Sequence, residues 1–413
     1  MVIELSPARL SGAVCAPSSK SYVHRLLIAA YLSGEEVKVG CNNMSADVLA
    51  TARVLESFGA ETQVGDKSIT IKRGIIPRGR VTADCGESGS TLRFLLPLAA
   101  ALGIKADFTG AARLLERPMT PLTEVLNRHG ADIRGLSVFG KLGAGVYEVD
   151  ASLSSQYVTG LLFALAALGG KSRIVVRGER VSAGYIDITT DVLKTFGADV
   201  AVTEGGYEVN RGVQKGVREA EAEGDWSNAA FALAAGAIGG DVKVCGLNPS
   251  SVQGDRRIAE VLGMFGAKVS FCSGAVHAEQ NRLAAVDVDI RDIPDLAQII
   301  SVVAAFARGV SVLRNVDRLR IKESDRVEAI INTLGAAGIR AEYSDNNLYI
   351  HGGAPKGGKF FSGNDHRTAM SAAILASFAE GCSSIAGAEA VNKSYPSFFA
   401  DLKELGGVMN VVV

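Results

Sequence analysis

The sequence predicts a layered α/β protein assembled from six related units, each carrying a buried helix. Three observations predict it. A helix ending followed by Gly and a strand start recurs six times, a polar cluster opens an apolar helix at nearly the same interval, and the composition is apolar but poor in rings. Of 413 residues, 47% are hydrophobic, only 6% are aromatic, 47 are Gly and one is Trp. Such a chain packs small and branched aliphatic side chains into close-set helices on sheets.

The helix endings run in order from Val54-Leu-Glu-Ser-Phe-Gly59 through Val125-Leu-Asn-Arg-His-Gly130 to Val192-Leu-Lys-Thr-Phe-Gly197. Val261-Leu-Gly-Met-Phe-Gly266, Ile330-Ile-Asn-Thr-Leu-Gly335 and Asp401-Leu-Lys-Glu-Leu-Gly406 follow. Units of about 69 residues account for the whole chain. Gly directly after a helix reads as the left-handed cap, where a Cβ is costly. Alternating segments such as Ala198–Thr203 and Ala267–Phe271 then read as strands.

The six polar openings are Ser18-Ser-Lys20 through Arg25, Glu87-Ser-Gly-Ser-Thr-Leu-Arg93, Ser154-Ser-Gln156, Gly224-Asp-Trp-Ser227, Ile293-Pro-Asp295 and Asn364-Asp-His-Arg367. Each precedes an apolar run, for example Phe94–Leu102, Val158–Leu168 or Ile299–Ala307. These runs are about half the ~20 residues a bilayer requires and read as buried helices.

Charge and cysteine usage exclude several classes. Lys plus Arg total 43 and Asp plus Glu 44, a formal charge of −1, and the mean hydropathy is +0.20. That balance argues against nucleic-acid and membrane-surface partners and against disorder. The amino terminus has the marks of neither a secretory signal nor a transit peptide. Cysteines 15, 41, 85, 245, 272 and 382 form no CxxC pair, so a reduced, cytoplasmic protein is expected. The five histidines (24, 129, 277, 351 and 366) have no metal-ligand spacing, and His129 holds a repeat position filled elsewhere by Phe or Leu.

Ser, Asp or Asn at a helix start is ordinarily a cap worth about 1 kcal/mol. Asp325 and Glu328 have capping-box spacing, and Asp295 after Pro294 can be read the same way. A cap does not require Lys20 with Arg25, or His366 with Arg367. Helix starts carry free N–H groups and partial positive charge. With Arg93, Arg117, Lys322, Arg326 and Lys393 added, the pattern is that of a site for small polyanionic substrates.

On these residues the chain resembles the 5-enolpyruvylshikimate-3-phosphate synthase family of enolpyruvyl transferases. The likeness runs from Pro17-Ser-Ser-Lys-Ser through Glu116-Arg-Pro-Met, Tyr185-Ile-Asp-Ile-Thr and Lys322-Glu-Ser-Asp-Arg to Asn392-Lys-Ser-Tyr-Pro. It implies two lobes of three βαβαββ units each. Residues 1–16 and 226–413 would form one lobe and 17–225 the other, with crossovers near 14–19 and 222–227. Closure would bring both sets of helix starts onto the substrates.

The implied reaction moves the enolpyruvyl group of phosphoenolpyruvate to the 5-hydroxyl of shikimate 3-phosphate and releases phosphate. It needs neither metal nor cofactor, and a monomer is expected. Position by position, Lys20, Ser21, Arg25, Ser154, Ser155, Gln156, Ser182, Tyr185, Asp295 and Lys322 correspond to shikimate 3-phosphate contacts. Lys20, Gly89, Arg117, Gln156, Arg326, Arg367 and Lys393 correspond to the phosphoenolpyruvate clamp. Glu323 resembles the proton donor and Asp295 the base, with Lys20 and Lys322 as alternative proton carriers.

The chain departs from the family pattern in the loop Cys85–Thr91, which keeps Gly89 but replaces the commoner Asn-Ala-Gly-Thr, and at Arg318, where many members have Asn. The loop leaves sensitivity to glyphosate, the family's inhibitor, open. The related UDP-N-acetylglucosamine enolpyruvyl transferase family places a catalytic Cys five residues before the Arg-Pro pair, where this chain has Ala112. A non-catalytic module of the same fold would be expected to lack Glu323, Asp295 or Lys393.

Overall fold

The structure is a computed structural model and describes residues 1–178, 181–272 and 274–412. It contains six four-stranded sheets that share one plan. In the module built from Val81–Asp84, Ala106–Thr109, Ala131–Arg134 and Ser137–Gly140, the first strand runs parallel to the second. The second is antiparallel to the fourth, which is antiparallel to the third. Helix Gly89–Leu102 joins the first two strands, and Thr120–Arg128 leads into the third. A parallel pair needs such a crossover, whereas the antiparallel pair closes with a short turn.

Three modules borrow a strand from far along the chain. Glu219–Glu221 lies parallel to Val37–Gly40, and Ser11–Cys15 lies parallel to Asp241–Cys245. Val2–Ser6 is antiparallel to both Ser383–Ala386 and Val408–Val411. The amino-terminal segment thus gives two strands to two different sheets. Two compact units result: Met1–Ser19 with Glu223–Val413, and Lys20–Ala222. Each has its own apolar core.

All six polar openings sit at helix starts, those of Lys20–Ser33, Gly89–Leu102, Gln156–Leu168, Trp226–Gly239, Ala297–Phe306 and His366–Phe378. Ser88, Asp225 and Asp365 each cap their helix with a side chain. Helices Gly89–Leu102 and Gln156–Leu168 approach so closely that a Cβ on Gly160 would lie 2.2 Å from the carbonyl oxygen of Arg93. Side chains as small as these let the helices bury one another almost completely.

Glycines 59, 130, 197, 266 and 406 have positive φ, as the repeat requires. Gly335 does not: it lies inside helix Arg326–Ala336, and Gly338, with φ 75°, takes the left-handed position. The helix runs one residue past Gly335 to Ala336, a good helix former, and Ala337 caps it. Among the described residues no helix is long and apolar enough to cross a membrane, and the cysteines are thiols rather than disulfides.

Candidate active site

In the unit Lys20–Ala222, four helix starts supply polar side chains. Lys20 Nζ donates to Asp47 Oδ2 at 2.8 Å. One turn on, Arg25 is 2% exposed. It donates through Nε to Thr189 Oγ1 (2.8 Å), through Nη1 to the Ser21 carbonyl (2.7 Å) and through Nη2 to the Tyr185 carbonyl (2.8 Å). Its guanidinium lies 4.8 Å from the centre of the Phe94 ring. These oxygens are neutral, so the charge is oriented without being cancelled, and burial lowers its pKa.

Arg93 donates to Gln156 Oε1 at 3.1 Å and to the Pro118 carbonyl at 3.3 Å, while Gln156 Nε2 donates to Ser90 Oγ at 3.0 Å. Gly89 is wedged beneath two guanidinium groups. A Cβ there would lie 2.6 Å from Arg117 Nη1 and 2.8 Å from Arg93 Nη1. Ser155 is buried at the start of Gln156–Leu168, and the Ser154 hydroxyl accepts from the Gln156 N–H at 3.3 Å. Ser182 precedes helix Ala183–Thr195 with φ 56°, a left-handed conformation that is costly for a residue with a Cβ. The carbonyl of Ser182 accepts from the Tyr185 N–H at 3.1 Å.

In the other unit, a buried arginine organises the residues. Arg326 is 1% exposed and donates through Nε to Asp365 Oδ2 (2.8 Å) and through Nη1 to Asp295 Oδ1 (2.9 Å). Its Nη2 pairs with Glu323 Oε2 at 2.9 Å. Burial alone would lower its pKa, but Asp365, Glu323 and Asp295 outweigh burial and raise it. Asp365, itself fully buried, feels the opposite balance. Burial pushes its carboxyl up, and Arg326 and His366 together more than offset that, leaving it below the usual range.

Asp295 is not a simple cap. Lys322 Nζ lies 3.6 Å from Oδ1, and Arg367 Nη2 donates to Oδ2 at 3.2 Å. Arg367 also donates to the Asp295 carbonyl at 3.0 Å and to Ser227 Oγ at 2.7 Å. Lys393 Nζ reaches the Asn364 carbonyl at 2.5 Å. Burial pushes the Lys322 ammonium down to about 8, with Asp295 working against the shift and Arg326 adding to it. Arg318, the departure from the family pattern, contributes to the same lowering and donates to the Arg291 carbonyl at 3.5 Å.

The sequence-predicted residues therefore fall into two groups, Lys20 to Tyr185 in one unit and Asp295 to Lys393 in the other. Asp47, Thr189, Ser227 and Asp365 were not picked out as site residues by sequence reasoning. Asp365 lies inside the Asn364-Asp-His-Arg motif, Ser227 closes Gly224-Asp-Trp-Ser227 and Thr189 closes Tyr185-Ile-Asp-Ile-Thr, which were the available signals; Asp47 becomes visible only through its contact with Lys20. Asp325 does cap its helix, accepting from the Glu328 N–H at 3.1 Å. His129 bonds two backbone carbonyls through its ring nitrogens, each at 2.8 Å, and stacks on Tyr147, a structural role. Among the described residues no His, Cys, Asp and Glu group of three or more could hold a metal.

Residues 5–402 match the family model described as EPSP synthase (3-phosphoshikimate 1-carboxyvinyltransferase). A 3-phosphoshikimate 1-carboxyvinyltransferase of Clostridium kluyveri is 37% identical across 98% of this chain and 97% of its own length. One of Thermococcus kodakarensis is 41% identical across 95% of this chain and 97% of its own. An EPSP synthase structure from Acinetobacter baumannii superposes with TM-score 0.83 at 24% identity, covering both chains completely. The enolpyruvyl transferase NikO from Streptomyces tendae gives 0.78 at 17% identity, covering 99% of this chain and 98% of its own. At these identities the two structures speak to the fold.

Proposed function

Because this chain belongs to the EPSP synthase family, the 3-phosphoshikimate 1-carboxyvinyltransferases, we propose that it transfers the enolpyruvyl group of phosphoenolpyruvate to the 5-hydroxyl of shikimate 3-phosphate. The hydroxyl oxygen gives its proton to the base, which we assign to Asp295, and bonds to the enol carbon C2 as the methylene carbon C3 takes a proton from the acid. The tetrahedral intermediate then loses the C3 proton and phosphate as the bond from C2 to the phosphate oxygen breaks. The observation that carries this reading is the network around Arg326. It joins an acid candidate (Glu323), a base candidate (Asp295) and the cations Lys322 and Arg367 in one set of contacts.

That network balances three carboxylates against three cations. A phosphoenolpyruvate anion arriving there favours uptake of a proton, and Glu323 is the carboxylate we assign to carry it to C3. Lys322, Arg326, Arg367 and Lys393 stabilise the negative charge of the tetrahedral intermediate. In the other unit, we assign Arg25 with Lys20, Ser21, Ser154, Ser155, Ser182 and Tyr185 to shikimate 3-phosphate. Gly89, Arg117 and Gln156, with Lys20, are the residues of that unit assigned to phosphoenolpyruvate. The chain passes between units after Ser19 and after Ala222, and we assign the lobe hinges to 14–19 and 222–227. A reducing cytoplasm fits cysteines held as thiols, and we assign a monomer.

The test is phosphate release by the purified protein. Release is expected only when both shikimate 3-phosphate and phosphoenolpyruvate are present. Release with UDP-N-acetylglucosamine as acceptor instead would overturn the assignment.

Two further results are expected from this site. Gly89→Ala pushes aside the flexible ends of Arg117 and Arg93 rather than backbone. The fold therefore survives, and the KM for phosphoenolpyruvate rises about tenfold or more as the arginines are displaced. An unchanged KM would separate Gly89 from that substrate. Lys322 is charged below about pH 8 and neutral above it. Apparent affinity for the anionic substrates should therefore fall as pH rises through that value, and Lys322→Arg should move the fall to higher pH. An alkaline limb identical in the variant would assign it to another group.

A further inference from the structure

A chain of side chains within the unit Lys20–Ala222 runs from the Lys20 helix to the Gly89 loop, and its direction can be worked out. Ser88 Oγ accepts from the Thr91 N–H at 3.2 Å and from the Thr91 hydroxyl at 2.7 Å. The Thr91 proton being spent, the 2.7 Å contact between Thr51 Oγ1 and Thr91 Oγ1 requires Thr51 to donate. The Thr51 proton is then spent too, so the 2.7 Å contact between His24 Nδ1 and Thr51 Oγ1 requires His24 to donate. All four residues are at most 1% exposed. His24 Nε2 has no hydrogen-bond partner among the described residues, and its ring meets Phe94 edge-on at 6.4 Å. Burial first, then Lys20 and Arg25, hold the imidazole pKa well below its usual value, consistent with a neutral ring.

Position gives this chain a purpose. His24 follows Lys20 by one helical turn, and Thr51 follows Asp47 by one turn. Helices Lys20–Ser33 and Ala46–Ser57 are therefore pinned twice, by Lys20 to Asp47 and by His24 to Thr51. Thr51 passes the restraint to Thr91 and Ser88, the cap directly before Gly89, against which the Arg93 and Arg117 guanidinium groups lie. Taking the transfer reaction above as its premise, we infer that His24 is a positioning residue. Neutral, with its proton on Nδ1, it acts through Thr51 and Thr91 to fix the Gly89 loop relative to Lys20 and Arg25. It touches no substrate. It sets the spacing between the cations assigned to shikimate 3-phosphate and those assigned to phosphoenolpyruvate.

The experiment has two arms. In the first, steady-state kinetics compare the wild type with His24→Leu, Thr91→Val, the double variant and His24→Asn, whose amide can donate from near the Nδ1 position. His24→Leu and Thr91→Val should each raise the KM for phosphoenolpyruvate about tenfold, with the dissociation constant for shikimate 3-phosphate changed less than about twofold. The double variant should be no worse than the worse single one, because one chain is cut twice, and His24→Asn should recover most of the loss. Equal losses for both substrates, additive losses, or no rescue would overturn the inference. In the second arm, nitrogen-15 spectra of the wild-type histidines at neutral pH should show His24 protonated at Nδ1 and bare at Nε2. An Nε2–H tautomer or an imidazolium would overturn it whether or not the variants fold. A wild type that fails to turn over the two substrates refutes the transfer reading instead, and the tautomer result stands apart from that.

Discussion

Arg326→Met should destabilise the protein by about 3–5 kcal/mol, the usual consequence of removing one partner from a buried ion-pair network. The side chain being replaced is 1% exposed and balances Asp365, which is fully buried, together with Asp295 and Glu323. Methionine fills similar volume, so the loss is of charge rather than packing. The pH dependence identifies the cause. In the wild type the Asp365 pKa is lowered, so it contributes stability that is present above the unfolded carboxyl pKa and lost as pH falls through the folded one. Without Arg326, burial raises that pKa instead. The variant's deficit should then be largest near neutral pH and shrink on acidification, as the carboxylates take up protons. Urea denaturation of both proteins at neutral and mildly acidic pH reads this directly. A deficit below about 1 kcal/mol, or one independent of pH, would contradict the charge balance described for the network around Arg326.

Glu323→Gln should lower kcat about 10²–10³-fold, in the range of a lost general acid, while leaving shikimate 3-phosphate affinity within about twofold. Gln is nearly isosteric, and its amide oxygen can still accept from Arg326, whose Nη2 lies 2.9 Å from Glu323 in the native protein. What it cannot do is deliver a proton to C3 and receive it back when the intermediate collapses. Binding and chemistry therefore separate in this variant. Turnover equal to wild type would move the acid role to Lys322 or Lys20.

The repeat was legible because its signals are local. A polar helix opening and a glycine after an apolar run are set by neighbouring residues, and five of the six glycines have the expected left-handed backbone. Gly335 misled because Gly338 follows three residues later and Ala336 carries the helix past the earlier one. Sheet order was not legible, since Val2–Ser6, Ser11–Cys15 and Glu219–Glu221 join sheets made largely of distant segments. Nothing in a five-residue strand specifies its neighbour.

The same distinction divides the site. Arg25, Arg326 and Arg367 stand out as cations at helix starts, where a cap has no use for them. The pairing with what holds them does not stand out: Thr189 lies 164 residues from Arg25, and Asp295, read as the base from the family resemblance, lies 72 from Arg367. A threonine or aspartate acquires such a role only through tertiary contact. The capping reading of Asp295 failed for this reason, because its carboxylate faces Lys322, Arg326 and Arg367. The same reading held for Asp325, whose carboxylate accepts from a backbone N–H three residues on.

The most direct test of carboxyvinyl transfer follows the oxygen that bridges C2 and phosphorus in phosphoenolpyruvate. With that oxygen replaced by oxygen-18 and shikimate 3-phosphate as acceptor, the account predicts labelled inorganic phosphate and an unlabelled enol ether, because C2 is attacked and its bond to oxygen breaks. Unlabelled phosphate accompanied by labelled pyruvate would mean cleavage at phosphorus, and would contradict it.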